Sequence, residues 1–274
     1  MPELPEVQTV ISNLKRFIIN QNIDFVEIYY PKLLKNSTTE EFKTFLINEK
    51  IIDITRKGKF IIFNLSNNKK WVIHLRMEGK LFFEPFNSSP THPQLLAELK
   101  LSNGILRYYD TRKFGTFHIL KDDQFLNFQP LLKLGPDAND DNLNFEELFK
   151  HIFKRNISIK TLLLDQGIIS GIGNIYANEI LFSSNISPFR KGNEINLEEW
   201  KEILKNSKII LNESIENNGT TIHSFKFDNN HSGGYQKFLK VHGKKNQPCP
   251  ICNNPINYTK INGRGTFYCK NCQK

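Results

Sequence analysis

Two prolines and two carboxylates stand at the start of the chain, in the segment PELPE at residues 2–6. A proline at position 2 permits removal of Met1, which would leave a secondary amine as the new N-terminus. Such an amine can attack an aldehyde carbon and form a charged iminium, which is an electron sink for elimination chemistry. A generic α-amino group has a pKa of about 7.7–8.0 and is therefore deprotonated more often at neutral pH than a lysine. Pro2 is thus a candidate nucleophile.

The carboxylates of this segment suggest two different roles. Glu3 lies next to the amine and is a candidate general acid/base for a leaving group or a ring oxygen. Glu6 falls in a first helical turn, where a carboxylate complements the helix dipole, so we predict a structural role for it. Pro5 and the apolar spacing that follows predict an amphipathic helix over residues 5–18. By itself, the segment is more typical of a helix start than of an active site.

All four cysteines lie in the last 26 residues, as CPIC (249–252) and CKNC (269–272). Two C-x2-C pairs at this separation are typical of a zinc site, and clustering of this kind argues against a disulfide framework. Four thiolates complete a closed tetrahedral shell, which makes the metal structural. The predicted ligands of one Zn²⁺ are Cys249, Cys252, Cys269 and Cys272.

The stretch YYDTRKFGTF (108–117) places Arg112 and Phe114 two positions apart, which puts them on one face if the segment is extended. An Arg and a Phe together can wedge into unstacked DNA and bind an exposed base edge. Met77 stands before a glycine on a predicted strand-to-strand turn and could fill a gap in a base stack. Taken alone, a core Phe beside a surface Arg is the more common interpretation of Phe114 and Arg112, and a core position is the alternative for Met77. Arg264 stands between two glycines near the tip of the predicted zinc-held hairpin, where a cation suits a phosphate contact, but a solvated turn Arg is the more common interpretation.

The composition favours a polyanionic partner. The 274 residues carry a formal net charge of +9, with a pI near 9.2. This excess suits nucleic acid, although a lysine-rich surface gives the same total. No apolar run is long enough to predict a membrane span, and the N-terminus lacks the pattern of a secretory signal.

The order of elements is readable in outline. Residues 23–120 are rich in strand patterns, with Asn103-Gly104 as a hairpin signal, and they predict an antiparallel sandwich or barrel. The polar stretch 134–142 is the best linker candidate. Helices follow, with Gly167 and Gly219 as predicted helix ends and with Asn196 and Glu199 at capping-box spacing. Residues 219–236 predict a long loop, and a loop of this length inside a compact domain is usually either functional or disordered.

The chain resembles formamidopyrimidine-DNA glycosylase, the bacterial enzyme family that excises oxidised purines from DNA. The resemblance is carried, in order along the chain, by PELPEV, GKF, HLRMEG, DTRKFG, GIGNIYANEILF, GGY and GRGTFYCKNCQ. It covers essentially the whole chain, and PELPEV together with the C-terminal ribbon is its most specific part.

The resemblance implies a bifunctional glycosylase and abasic-site lyase. It makes Pro2 the nucleophile at C1′ of the flipped nucleotide and Glu3 the acid/base beside it. It implies that Lys59 transfers protons in β-elimination. It also implies that Arg264 contacts the phosphate at the lesion and takes part in δ-elimination.

The resemblance also implies a set of DNA contacts. Met77, Arg112 and Phe114 match the trio that fills the gap left by the flipped base, with the arginine facing the orphaned cytosine. Lys160 and Asn174 match residues of a helix–two-turn–helix element that grip phosphates.

The implied fold is α+β, in three parts. These are an N-terminal antiparallel β-sandwich with flanking helices (1–134), a helix–two-turn–helix domain (135–225) and a zinc ribbon (240–274). The implied partner is double-stranded DNA containing oxidised bases, over which the loop within 219–236 would close. We expect a monomer in the bacterial cytoplasm, associated with the nucleoid and not with a membrane.

Two positions depart from the family pattern. The family often has His-x-His before the SNG turn, where this chain has Gln94 and Leu96, with His92 nearby but out of register. Asn156 stands where a basic phosphate contact is common. We carry no DNA contact over to these positions.

Two rival functions are open at the level of sequence. The sister glycosylase for oxidised pyrimidines resembles this chain, but it usually begins PEGPE. A non-catalytic zinc-ribbon protein that binds nucleic acid would account for the charge and the cysteines, but it would give PELPE and Lys59 no role.

Overall fold

The computed structural model describes residues 1–221 and 232–274. The loop predicted over 219–236 therefore lies partly outside the described residues. Within the part that is described, no helix is long and apolar enough to cross a membrane.

The described chain divides into two compact units. The first comprises Met1–Leu132 and Asn217–Gly234, and the second comprises Lys133–Glu216 and Tyr235–Lys274. The segment after the longest helix thus groups with the N-terminal unit, whereas the ribbon and the helices that precede it form one unit.

The first unit is built from two four-stranded antiparallel sheets, in the orders β1-β6-β7-β5 and β2-β3-β4-β8. Its strands are β1 (Ile23–Ile28), β2 (Ile51–Lys57), β3 (Phe60–Leu65), β4 (Lys69–His74), β5 (Lys80–Glu84), β6 (Leu95–Leu101), β7 (Gly104–Tyr109) and β8 (Thr116–Lys121). Its helices are α1 (Leu4–Ile18), α2 (Thr39–Leu46), α3 (Asp122–Leu126) and α4 (Gln129–Leu132), with a 3-10 turn at Pro31–Leu33.

One apolar core joins the two sheets and the first helix. It contains Val26 and Leu99 of one sheet, Ile61 of the other, and Val7 and Ile11 of α1. Because both sheets bury an inner face in the same cluster, the predicted antiparallel β-sandwich with flanking helices is confirmed.

Helix α1 begins one residue earlier than predicted. Leu4 is its first residue, and Pro5 takes the second position rather than the first. The side chain of Glu6 accepts a hydrogen bond from the backbone N–H of Glu3, at 2.8 Å. This contact satisfies a donor that a helix start leaves open, which allows the helix to begin at Leu4.

The second unit contains helices and a two-stranded ribbon. The elements are α5 (Phe145–Lys150), α6 (Ile159–Leu164), α7 (Asn174–Ser183), α8 (Leu197–Glu216), β9 (Asn257–Ile261) and β10 (Arg264–Tyr268), with 3-10 turns at Gly192–Glu194 and Tyr235–Phe238. The predicted capping box is confirmed, because Asn196 and Glu199 exchange side-chain to backbone bonds of 2.9 Å.

Helix α5 ends at Lys150, although apolar residues continue at helical spacing to Phe153. One predicted helix end in this unit is wrong. Gly167 does not cap α6, because the helix ends at Leu164 and the side chain of Asp165 accepts the Gly167 N–H at 2.9 Å. An Asp that bonds its own backbone two residues on forms a turn of its own, which ends the helix sooner.

Candidate active site and DNA-contact residues

The start of α1 is buried and fixed. Pro2 and Glu3 are buried, and Glu3 is only 3% exposed, whereas Met1 is 43% exposed. Glu6, itself 2% exposed, accepts the N–H of Glu3 with one oxygen and the N–H of Thr220 with the other, each at 2.8 Å. At this chain end Met1 is therefore exposed, whereas the backbone that follows it is fixed by the bonds to Glu6. These bonds agree with the structural role predicted for Glu6.

Lys59 lies in the two-residue turn between β2 and β3. Gly58 opens this turn at φ 55°, a conformation that favours glycine, and Lys59 is 5% exposed. The guanidinium of Arg56 donates to the Gly58 carbonyl at 3.0 Å and to the Gln8 side-chain oxygen at 3.4 Å. Because Gln8 is on α1, Arg56 connects the turn of Lys59 to the helix that begins beside Pro2.

His74 lies across the sheet from this turn. It pairs with Phe60 and meets its ring edge-on, with centroids 4.6 Å apart. Its Nδ1 accepts the N–H of Arg76 at 2.9 Å. Burial, followed by the charges of Arg76 and Lys59, lowers the pKa of His74 from its ordinary value to about 3. The imidazole is thus neutral within a basic cluster.

The three predicted wedge residues lie on two turns of the first unit. Met77 is half-buried on the turn between β4 and β5, as predicted. Arg112 and Phe114 are exposed on the turn that leads into β8, and the guanidinium carbon is 4.8 Å from the centre of the Phe114 ring. They are side by side as predicted, but the reason differs, because Lys113 between them has φ 57° and the segment is a tight turn.

Arg264 lies at the tip of the ribbon. Asn262 and Gly263 form the turn between β9 and β10, both with positive φ, and Arg264 is the exposed first residue of β10. Asn-Gly is the sequence that this two-residue turn prefers. The tip thus carries a cation on a defined hairpin, as the sequence predicts.

Lys160 and Asn174 converge on the backbone next to Arg264. The Lys160 ammonium is fully buried and donates to the Gly265 carbonyl at 2.7 Å and to the Thr266 hydroxyl at 2.9 Å. The Asn174 amide donates to the same carbonyl at 3.0 Å. The predicted phosphate contacts of both residues stay predictions, and in this structure both side chains hold the ribbon.

The four cysteines form a donor set that fits one zinc ion. Their Sγ atoms all lie within 4.8 Å of one another. The Cys249–Cys272 and Cys252–Cys269 pairs are 3.8 and 3.4 Å apart, close to the spacing set by four Zn–S bonds of about 2.3 Å in a tetrahedron. The predicted structural Zn²⁺ site is confirmed, and its role is to hold the ribbon that carries Arg264.

Two contacts that organise the site, one from the Arg56 side chain and one from the Thr220 backbone N–H, were not predicted from the sequence. Arg56 is a basic residue on a strand, and nothing in its spacing indicates that it bonds the turn of Lys59. The bond from Thr220 to Glu6 joins residues 214 positions apart, which no local pattern encodes. The position of Glu6 in a first helical turn predicted a structural role for its carboxylate but not this partner.

Family models match three successive parts of the chain. The formamidopyrimidine-DNA glycosylase N-terminal domain matches residues 1–117 and the helix–two-turn–helix domain of the same family matches residues 134–226. The zinc finger found in FPG and IleRS matches residues 246–274. The chain belongs to the formamidopyrimidine-DNA glycosylase family.

Individual family members resemble the chain from end to end. The formamidopyrimidine-DNA glycosylase of Ureaplasma parvum is 46% identical over 278 residues and is covered completely, as is this chain. The wild-type Lactococcus lactis Fpg bound to DNA containing N7-benzyl-Fapy-dG is 32% identical, with a TM-score of 0.93 and complete coverage of both chains. The same Lactococcus protein bound to abasic-site DNA has a TM-score of 0.91, with 99% of both chains covered.

Proposed function

We propose that this protein excises oxidised purines, such as 8-oxoguanine and formamidopyrimidines, from duplex DNA and then cleaves the abasic strand. The proposal rests chiefly on the coincidence of full-length family membership with a buried Pro2–Glu3 start behind a single exposed methionine. The Lactococcus complexes with a Fapy-dG derivative and with abasic DNA support the substrate class and the lyase step.

The chemistry begins once Met1 has been removed. The Pro2 nitrogen attacks C1′ of the extruded nucleotide, the glycosidic bond breaks, and the base leaves with the bonding electrons and a proton. Glu3, at the next position, is the candidate group for that proton transfer. The C1′–O4′ bond then breaks, O4′ takes up the proton that the Pro2 nitrogen loses, and the opened sugar remains on Pro2 as an iminium.

Strand cleavage follows from the charge on the iminium. Removal of a C2′ proton expels the 3′ phosphate, and a second elimination expels the 5′ phosphate. Lys59 is the candidate proton carrier for the first step, and Arg264 is the candidate phosphate contact for the second. Hydrolysis of the remaining imine releases Pro2.

The remaining residues position the DNA. Met77, Arg112 and Phe114 are proposed to occupy the place of the extruded base, with Arg112 bonding the orphaned cytosine. The division at 1–134, 135–225 and 240–274, the monomeric state, and a cytoplasmic location at the bacterial chromosome belong to the same proposal. The bacterial origin of the named relatives supports the location.

Borohydride trapping tests the mechanism. Incubation of the protein with 8-oxoguanine duplex and borohydride should give a covalent adduct, and mass spectrometry should place the adduct on residue 2 with Met1 absent. A Pro2→Gly variant, whose N-terminus is a primary amine, separates loss of the secondary amine from loss of all amine chemistry. DNA binding without any adduct, or active protein that retains Met1, would refute the mechanism.

Comparison of lesions tests the substrate. Cleavage of 8-oxoguanine duplex should exceed cleavage of thymine-glycol duplex at equal enzyme concentration. The reverse order would favour the sister activity on oxidised pyrimidines, and binding without cleavage of either would favour the non-catalytic alternative.

A further inference from the structure

The turn that carries Arg112 and Phe114 is exposed and strained. Its four residues from Thr111 to Phe114 are all exposed, and Phe114 is 51% exposed. Lys113 at φ 57° occupies a left-handed conformation that costs a non-glycine residue about 1 kcal/mol or more. A turn of this kind keeps its shape only if its surroundings determine it.

One residue receives the backbone of this turn. The Asp110 carboxylate, 1% exposed, accepts the N–H of Arg112 at 3.0 Å, of Phe114 at 2.9 Å and of Gly115 at 2.8 Å. The Asp110 carbonyl accepts the N–H of Lys113 at 3.2 Å. Four consecutive amides therefore bond to Asp110, which replaces the strand pairing that the turn lacks.

The Tyr108 side chain packs against the same turn. A Cβ added at Gly115 would lie 1.8 Å from the Tyr108 hydroxyl oxygen, and a Cβ at Gly79 would lie 2.4 Å from it. The hydroxyl is therefore enclosed between Gly115, which follows Phe114, and Gly79, which lies two residues after Met77. It donates to Asp110 at 3.4 Å, and burial, followed by the Asp110 charge, raises the pKa of Tyr108 above its ordinary value.

A second contact joins the two turns. The Thr111 hydroxyl donates to the Glu78 carboxylate at 2.6 Å, which links the turn of Arg112 and Phe114 to that of Met77. The turn of Met77 carries a left-handed residue of its own, Arg76 at φ 56°.

We propose that Asp110 and Tyr108 are positioning residues that hold the Arg112–Phe114 turn in its inserting shape before DNA arrives. The inference rests on the proposed function for its DNA role. Base extrusion costs free energy because the base must be unstacked from its neighbours. A preformed turn does not add the further cost of ordering its own side chains and backbone at that step. The effect should therefore be largest for substrates whose base is still paired.

Two substrates separate positioning from chemistry. Asp110→Asn keeps the size of the side chain but replaces an accepting oxygen with a donor. We expect single-turnover excision of 8-oxoguanine paired with cytosine to fall by about 10- to 100-fold, and β-elimination at a preformed abasic site by less than about 3-fold, because no paired base must be extruded there. Equal slowing of both reactions, or no slowing, overturns the proposal.

A matched control and a double mutant sharpen the result. Asp140→Asn makes the same change at another Asp turn, where one carboxylate oxygen accepts the N–H of Asn142 at 2.9 Å, and it should leave both rates unchanged. If Asp110 acts through Phe114, the D110N/F114A double variant should be no slower than F114A alone. Full additivity of the two losses overturns the proposal.

A further measurement does not depend on catalysis. In DNA-free wild-type protein the amides of residues 112–115 should be protected from hydrogen exchange, and D110N should expose them. If the wild-type amides exchange at unprotected rates, the inference fails, even when trapping has established the glycosylase. Wild-type protein that shows this protection but never traps refutes only the proposed function.

If D110N does not fold, the Tyr108→Phe variant is measured with the same two substrates instead. Equal rates for Y108F and wild type then overturn the proposal.

Discussion

The start of α1 and the tip of the ribbon each present a group proposed to act on DNA, yet they are supported in opposite ways. Pro2 and Glu3 precede a helix that packs into the large apolar core shared by both sheets. Arg264 lies on a hairpin whose apolar cluster has five buried residues, two of them zinc-ligating cysteines. The first site is held by hydrophobic burial and the second by a metal.

The buried charged side chains that hold the two sites, Glu6 at the helix start and Lys160 at the ribbon, also have opposite charge. A helix start leaves N–H groups open, and the buried Glu6 carboxylate accepts from Glu3 and Thr220. The ribbon instead offers the Gly265 carbonyl, and the buried Lys160 ammonium donates to it. The type of backbone group left open thus decides whether an acid or a base is buried beside it.

Of the changes considered, removal of zinc should have the largest effect on the ribbon, and it should leave the sandwich unaffected. Structural zinc contributes about 10–16 kcal/mol to the folding of small zinc domains, so the ribbon should lose its structure while the sandwich keeps its own. Chelation followed by hydrogen exchange with mass spectrometry should show fast exchange in peptides spanning 257–268 and unchanged protection in peptides spanning 51–74. Protection should return when zinc is added back. A ribbon that stays protected without metal would contradict the assigned support.

Substitution of Glu3 tests the helix start through its chemistry. Glu3→Gln keeps the shape but cannot transfer a proton, so single-turnover excision should fall by about 10²- to 10⁴-fold. The melting temperature should change little, because the backbone N–H of Glu3 still donates to Glu6. Glu40→Gln, at an exposed first-turn position of α2, is the matched control and should be as active as wild type. A variant of normal activity would remove Glu3 from the mechanism.

Substitution of Lys160 tests the ribbon anchor alone. Lys160→Met keeps an apolar chain of similar length but deletes the two bonds from the buried ammonium. We expect a loss of about 2–3 kcal/mol in the local stability of the ribbon, measured by hydrogen exchange, with no change in the sandwich. Lys150→Met, at an exposed lysine of α5, serves as control. Weaker DNA binding with an unchanged ribbon would instead favour the direct phosphate contact.

Acid should weaken the sandwich through His74. Its folded pKa is lowered to about 3, so between the ordinary value near 6.5 and that pKa the unfolded chain binds the additional proton, and stability falls as the pH falls. At pH 5 the loss is about 2 kcal/mol relative to pH 7.5. Urea unfolding of wild type and His74→Gln at both pH values should show the smaller decrease in the variant. Equal decreases would exclude His74 as the titrating group.

The parts that could be predicted from sequence are those encoded by local pattern. The cysteine spacing predicted the zinc ligands, and the Asn103-Gly104 pair predicted the hairpin that β6 and β7 form. The apolar periodicity of α1 and the Asn196 capping box could also be predicted, because both are patterns of residues close together in the sequence. Gly167 shows the limit, since the Asp165 side chain ended α6 before the glycine was reached.

The supporting contacts could not be predicted because they connect distant segments. The bond from Thr220 to Glu6 spans 214 positions and that from Lys160 to Gly265 spans 105. Arg112 and Phe114 illustrate a different limit. Their proximity was predicted from an extended strand, whereas a left-handed Lys113 produces it in a turn. The sequence thus indicated the chemical groups, and the fold determined what holds them.

The enclosed hydroxyl of Tyr108 has an evolutionary consequence. Because any side chain at Gly79 or Gly115 would collide with it, neither glycine can be exchanged while the tyrosine remains. Loss of the tyrosine first would leave a gap between two turns. Tyr108 and Gly115 therefore form an epistatic pair, in which a tolerated change at one requires a compensating change at the other. A Cβ at Gly79 would also lie 2.5 Å from the Leu75 carbonyl oxygen, so a change at Gly79 requires a shift of that backbone as well. In a lineage that diverges from this chain, we expect Tyr108 and Gly115 to be replaced together or to be retained together.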